Sequence, residues 1–215
     1  EVGDERHHTF FEMLGNFSFA APSEAFSEGR GGYFKKEAIQ YAYDFVVNEM
    51  GLKIDYVTVF AGEKGVPEDK ESAQIWHSLD PKLTIKKCGR ADNFWGPTGN
   101  EGPCGPTTEI YVNGIEIWNV VFNQYYQKPP SAGSGQATLD LLETPGIDTG
   151  MGLERLAMVV QNKPTVFETD LFAPIIELLP NDLPMPVKRV LADHLRASVF
   201  LIADGVRPSN KEAGY

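Results

Sequence analysis

The residues best suited to chemistry cluster in GIDTGMGLERLAMVV, residues 146–160. Ile147 reads as the last apolar residue of a strand. Asp148 and Thr149 are N-cap types, and Leu153, Leu156, Ala157 and Val160 recur at helical spacing. Gly150 and Gly152 have no Cβ, so a ligand can approach the backbone there. Asp148 is expected at the mouth of a sheet, with Arg155 about two helical turns further on. A carboxylate in that place can hold an ammonium group, and a guanidinium can face a nucleotide. Taken alone, however, the stretch is accounted for by a capped helix with a salt-bridged arginine.

Other side chains extend the inventory. HTFFEML (8–14) reads as a strand, followed by GNFSF (15–19). On a strand Phe10 and Phe11 point to opposite faces, so one can pack in a core while the other offers its ring to a planar ligand. Trp95 lies in the Gly/Pro-rich NFWGPTGNEGPCGPTTEIYV (93–112), read as a shaped loop in which it is either a pocket wall or a core anchor. EIYV (109–112) and IEIWNVVFNQYY (115–126) read as a hairpin around Asn113-Gly114. Ile117, Asn119 and Val121 share one face of the second strand, and Trp118, Val120 and Phe122 the other. Both faces are apolar, so Asn119 is a buried amide that needs either backbone partners or a small polar ligand.

The elements that position these groups follow from periodicity. A helix is expected over 33–50, with Ile39, Ala42, Tyr43, Val46 and Met50 on one stripe and Gly51 ending it. Strands are expected at 54–60 and 83–89, with a short helix at 68–79 between them. Helices follow at 153–160, 170–179 and 187–202. In the last, Val187, Val190, Leu191, His194, Ser198, Leu201 and Ile202 form the expected interior stripe, and Arg189, Asp193 and Arg196 lie on another face. Residues 20–32, 128–136 and 203–215 read as loop or turn. The expectation is an α+β fold: an antiparallel sheet with helices on one side, then a helical domain. A dinucleotide-binding reading of Gly150-Met151-Gly152 fails, because Arg155 replaces the third glycine and no βαβ alternation surrounds it.

The chain has 215 residues and a net charge of −11, which argues against a general nucleic-acid binder. The balance is uneven: residues 186–215 carry five basic and three acidic side chains, a mildly basic end on an acidic body. There is no apolar run of transmembrane length. Cys88 and Cys104 lack flanking histidines at zinc-ligand spacing and read as reduced thiols of a cytosolic protein.

RHHTFFEMLGNFSF (6–19), IDTGMGLERLA (147–157), NFWGPTGNEGPCGPTTEIY, EIWNVVF and ADHLRASVFLIADGVRPSN together resemble, in order, the catalytic core of the alanyl-tRNA synthetase family, a class II aminoacyl-tRNA synthetase family. GIDTGMGLER is similar to class II motif 3, and RHHTFFEM to the later part of motif 2. The resemblance implies a class II sheet flanked by helices over 1–163 and the beginning of a helical tRNA-recognition domain over 164–215. It also implies a cytoplasmic ligase that joins alanine to ATP as alanyl-adenylate, then passes the alanyl group to tRNA(Ala). Roles carry over by motif. Arg6 and His7 would face the ATP phosphates, Phe11 would stack on adenine, Met13 would belong to the same ATP set, and Arg155 would cover the other adenine face. Asp148 would take the alanine ammonium and Asn119 its polar atoms, while Trp95, Val121 and Gly150 would bound a methyl-sized pocket. Such a pocket excludes bulky side chains well and glycine or serine poorly. Catalysis would be positioning and charge neutralisation, with Mg²⁺ on the ATP phosphates and no protein metal cage. Zinc in this family belongs to an editing domain outside the matched region. Asn210, in the RPSN turn, resembles a residue that reads the acceptor-stem G·U pair.

The sequence departs from the family pattern in three ways. It begins inside the motif 2 loop, without the α-phosphate arginine. Its 20–32 segment is longer than the family's turn, and it stops early in the recognition helices. The expectation is a fragment inactive alone. Two alternatives are another class II adenylating relative and a degenerate synthetase-like binding module. The presence of Arg6, His7, Phe11, Asn119, Asp148 and Arg155 argues against the latter.

Overall fold

The computed structural model describes residues 4–19, 32–63, 65–129 and 137–211. The expected loops at 20–32 and 128–136 and the end of the 203–215 turn lie largely outside those residues. The chain divides into two compact units, one of residues 13–151 and one of residues 1–12 with 152–215.

The 13–151 unit is built on a sheet of eight strands among the described residues: β1 (Met13–Leu14), β2 (Phe17–Ser18), β3 (Tyr56–Phe60), β4 (Thr84–Cys88), β5 (Phe94–Trp95), β6 (Gly102–Val112), β7 (Ile115–Lys128) and β8 (Thr138–Gly152). The order is β1-β8-β7-β6-β3-β4, with β2 on β8 and β5 on β6. The assigned pairings are antiparallel except β3 with β4, which are parallel because α2 (Lys70–Leu79) carries the chain between them. The Asn113-Gly114 hairpin forms as expected, with φ of 53° and 71° at its two residues.

One sheet face is covered by helices. α1 (Lys35–Tyr43), continued by a π-helical turn at Asp44–Glu49, buries Ile39, Ala42 and Val46, and Gly51 leaves it with φ of 65°. The rings of Phe34 and Phe45 meet Phe122 and Trp118 edge-on, and Trp76 of α2 donates its indole N–H to Thr108 Oγ1 at 2.9 Å. Lys35 and Asp69 form a buried ion pair at 2.7 Å, and Asp69 also caps α2 by accepting from the Ser72 N–H. Trp118, Val120 and Phe122 therefore lie on the helix-covered side, and Asn119 and Val121 on the opposite side.

After the short α3 (Arg90–Asn93) of the first unit, the second holds α4 (Leu153–Val160), α5 (Ala173–Leu178) and α6 (Met185–Ala203), together with residues 4–12. Here the expected orientation of α6 is reversed. Ala192, Asp193 and Arg196 are its buried residues, whereas Val187, Val190, Leu191, His194, Leu201 and Ile202 are exposed. Hydrogen bonding decides this. Thr9 donates both its backbone N–H and its hydroxyl to Asp193. Arg196 lies 2.6 Å from Glu12 Oε1 and 2.5 Å from the buried Glu154 Oε1, and Glu154 also accepts from the Glu12 N–H.

Two local expectations are corrected. The strand expected over 8–14 contracts to Met13–Leu14, because residues 8–12 give their hydrogen bonds to α4 and α6 side chains. Asp148 and Thr149 do not cap a helix. They lie within β8, which runs on to Gly152, and the helix starts at Leu153 with Gly152 at the N-cap.

Candidate functional site

In the 13–151 unit the β7–β8 register gathers four of the nominated side-chain positions. Asn119 stands opposite Gly150, and Val121 opposite Asp148. Asn119 and Val121 are two apart on one strand, Asp148 and Gly150 two apart on the other, so all four share the sheet face away from α1 and α2. Burial pushes the Asp148 carboxyl above its ordinary range. Asn119 Oδ1 is buried and accepts no hydrogen bond among the described residues.

Met13 belongs with this group. A Cβ built on Gly150 would meet Met13 Sδ at 2.9 Å, so the thioether lies over the bare glycine backbone, and any side chain at 150 would displace it. Trp95 is not in a loop. It is in β5, paired opposite Gly105, and remains 38% exposed. Sequence reasoning did not single out Glu109. It lies in β6 directly opposite Asn119 and is buried on the same face, accepting from Thr58 Oγ1 at 3.1 Å and from the Tyr111 hydroxyl at 2.9 Å. Burial and the nearby Glu116 charge raise its pKa.

The other nominated residues lie in the second unit. Asp4 organises the first of them. Its Oδ1 accepts from the backbone N–H of Arg6 and of His7, at 2.7 and 2.8 Å, and its Oδ2 lies 2.7 Å from His7 Nδ1. Against the cost of burial, these bonds hold the Asp4 carboxyl at about 2. Arg155 Nε donates to the Arg6 carbonyl at 3.5 Å, which ties the start of α4 to the 4–7 turn. Phe10 stacks on Phe200 at 4.4 Å, while Phe11 is half exposed. Of the adjacent histidines, His8 is the packed one. Its ring stacks on Phe172 and meets Phe167 edge-on, and burial lowers its pKa. Asn210 is exposed beyond α6.

What the two sets can do chemically differs. The first offers a desolvated carboxylate, an amide oxygen without a donor and a small apolar floor, which suits a small molecule with an ammonium group. The second offers a guanidinium, an imidazole and an open aromatic ring, which suits an anionic ligand with a planar base. No helix among the described residues is long and apolar enough to cross a membrane.

Comparison with known proteins places the chain in a family. The profile of the tRNA synthetases class II (A) matches residues 1–114 and 113–215, the two stretches meeting at the Asn113-Gly114 turn. A relative from Rubrobacter xylanophilus named alanine–tRNA ligase is 41% identical over 253 aligned residues, covering 100% of this chain and 27% of its own length. A protein of the same name from Idiomarina loihiensis is 42% identical, covering 98% of this chain and 25% of its own. The chain thus spans about a quarter of the length of the curated relatives it matches. With the profile covering the whole sequence and the mixed α/β sheet in place, the chain belongs to the class II (A) tRNA synthetases.

Proposed function

We propose that this chain is the amino-acid-activating part of an alanine–tRNA ligase. The observation that carries the reading is the β7–β8 square of Asn119, Val121, Asp148 and Gly150, which sets a desolvated carboxylate beside an amide, a short apolar side chain and a bare backbone. Alanine matches it: the ammonium group goes to Asp148 and Asn119, and a single methyl fits beside Val121 and the Met13-covered backbone of Gly150. Trp95 closes the same pocket.

ATP is the second substrate. Arg6 and His7 meet its phosphates, and Phe11 and Arg155 sandwich the adenine. The alanine carboxylate oxygen attacks the α-phosphorus. The new O–P bond gives alanyl-adenylate as the bond to the β-phosphate oxygen breaks, and pyrophosphate leaves. The chain's groups act by orientation and charge, not as nucleophiles. Mg²⁺ would be carried by the ATP phosphates, where it would offset the charge that develops as the α-phosphorus is attacked. In the second step a terminal hydroxyl of tRNA(Ala) attacks the alanyl carbonyl and releases AMP. Residues 1–163 form the aminoacylation part, and residues 164–215, with Asn210, begin the tRNA-recognition part. The enzyme works in the cytoplasm.

The test is amino-acid-dependent exchange of pyrophosphate into ATP by the full-length gene product, run with each of the twenty amino acids. Alanine should support the fastest exchange, with glycine and serine weaker. Exchange that depends on another amino acid, or on none, rejects the proposal.

A further inference from the structure

Glu109 is a buried carboxyl for which the reaction above has no use. Its position is specific. In the row across β3, β6, β7 and β8, Thr58 stands opposite Glu109, Glu109 opposite Asn119, and Asn119 opposite Gly150. Directly opposed side chains on one face have Cβ atoms about 4.5–5.5 Å apart. The carboxyl is also firmly held. Its Oε2 takes both the Thr58 and Tyr111 hydroxyls, and Thr58 Oγ1 accepts from Asn93 Nδ2 at 2.8 Å. Asn93 is itself buried and bonds Thr107 as well. Both hydroxyls go to Oε2, which leaves Oε1 as the oxygen available to a neighbour across the ladder.

Beside it lies a side chain with an ambiguity to resolve. A carboxamide keeps its shape when it turns half a circle about its last bond, exchanging a donor for an acceptor. An ammonium ligand needs the acceptor, and an NH₂ pointed at it would repel. Asn119 Oδ1 is buried and receives no donor among the described residues, although the residue is only half-buried, so a half-turn of the amide puts the NH₂ in the buried place and the oxygen at the open one. We infer that Glu109 is a positioning residue for the amino-acid subsite: its carboxyl holds the Asn119 NH₂, so that the Asn119 carbonyl oxygen faces the ligand's ammonium group. The inference rests on the alanine-activating reading and adds a residue to it. Glu109 acts through Asn119 and does not touch the substrate.

The test is a double-mutant cycle in the full-length gene product, read by alanine-dependent pyrophosphate exchange. Glu109→Leu removes the acceptor at similar volume and should raise the alanine KM about tenfold, the effect of one ordinary hydrogen bond. The ATP KM and kcat should stay within about twofold of wild type by the same scale. Glu109→Gln keeps an acceptor oxygen and should restore most of the alanine affinity. In an Asn119→Ala background, Glu109→Leu should add no further rise, since there is no amide left to hold. If the leucine variant does not fold, Glu109→Ala takes its place in the cycle with the same expectations. Additive effects of the two substitutions would overturn the inference. So would an unchanged alanine KM in a variant with a lowered melting temperature, or a glutamine variant as impaired as leucine. Those outcomes leave the functional reading standing, whereas a wild-type enzyme with no alanine-dependent exchange rejects both.

Discussion

Val121 and Asp148 stand directly opposite one another in the β7–β8 ladder, one apolar and one a carboxylate desolvated by its surroundings. The pairing puts a charge beside a methyl-sized apolar wall, which suits a short amino acid. It also has a cost, because the carboxylate has lost hydration without a compensating ion pair among the described residues.

The first prediction follows from that cost. The folded pKa of Asp148 is raised above its ordinary 3.8, so between the two values the folded state binds more protons than the unfolded state. Stability contributed by this group therefore falls as pH rises from 3.8 through the raised folded value, and stays lowered above it. Asp148→Asn should melt at a higher temperature than wild type at neutral pH, with the gap closing below pH 3.8. Thermal melts across that range check it; a variant that is less stable at neutral pH contradicts it.

The second concerns Phe11. Its ring is half exposed, while the neighbouring Phe10 stacks on Phe200. Phe11→Ala should therefore lose far less than the about 3–5 kcal/mol of a buried phenylalanine. It should raise the ATP KM all the same, and Phe11→Tyr should be mild, because stacking needs only a ring. A large fall in melting temperature with an unaltered ATP KM would make Phe11 structural.

A third prediction tests the packing of α6. Arg196 is the cation set against the buried Glu154, and Glu12 shares it. Arg196→Met would leave Glu154 buried and uncompensated, at a cost of about 3–5 kcal/mol. Chemical denaturation of the variant should show that loss. Glu154→Gln paired with Arg196→Met should recover part of it, and a single variant as stable as wild type would show that the pair contributes nothing.

These cases also mark where the sequence was legible. The helix over 33–50 and the strands at 54–60 and 115–126 declared themselves through period and turn residues, and the structure has them within a few residues. The nominated residues of β7 and β8 met because two strand patterns paired in register. What could not be read was decided by distant partners. Asp148 and Thr149 have N-cap chemistry, yet pairing with Val121 and Val120 keeps them in a strand. The apolar stripe of α6 looked like its buried face, but Asp193 and Arg196 found Thr9, Glu12 and Glu154 far away in sequence. His194, expected inside, is consequently exposed. Glu109 was hidden by a bulge. The hairpin pairs Val112 with Ile115 and Tyr111 with Glu116, a register that would set Thr108 against Asn119. The extra residue Ile117 shifts it by one and brings Glu109 opposite instead.

The most direct test of the whole account is the alanine KM of Asp148→Asn in the full-length gene product, measured beside its ATP KM by pyrophosphate exchange. The substitution keeps shape and removes charge, and a charge-assisted hydrogen bond contributes about 1.5–3 kcal/mol, or roughly ten- to a hundredfold. The alanine KM should rise by that order, with the ATP KM nearly unchanged. An unchanged alanine KM with a raised ATP KM would contradict it, and would move Asp148 from the amino acid to the nucleotide.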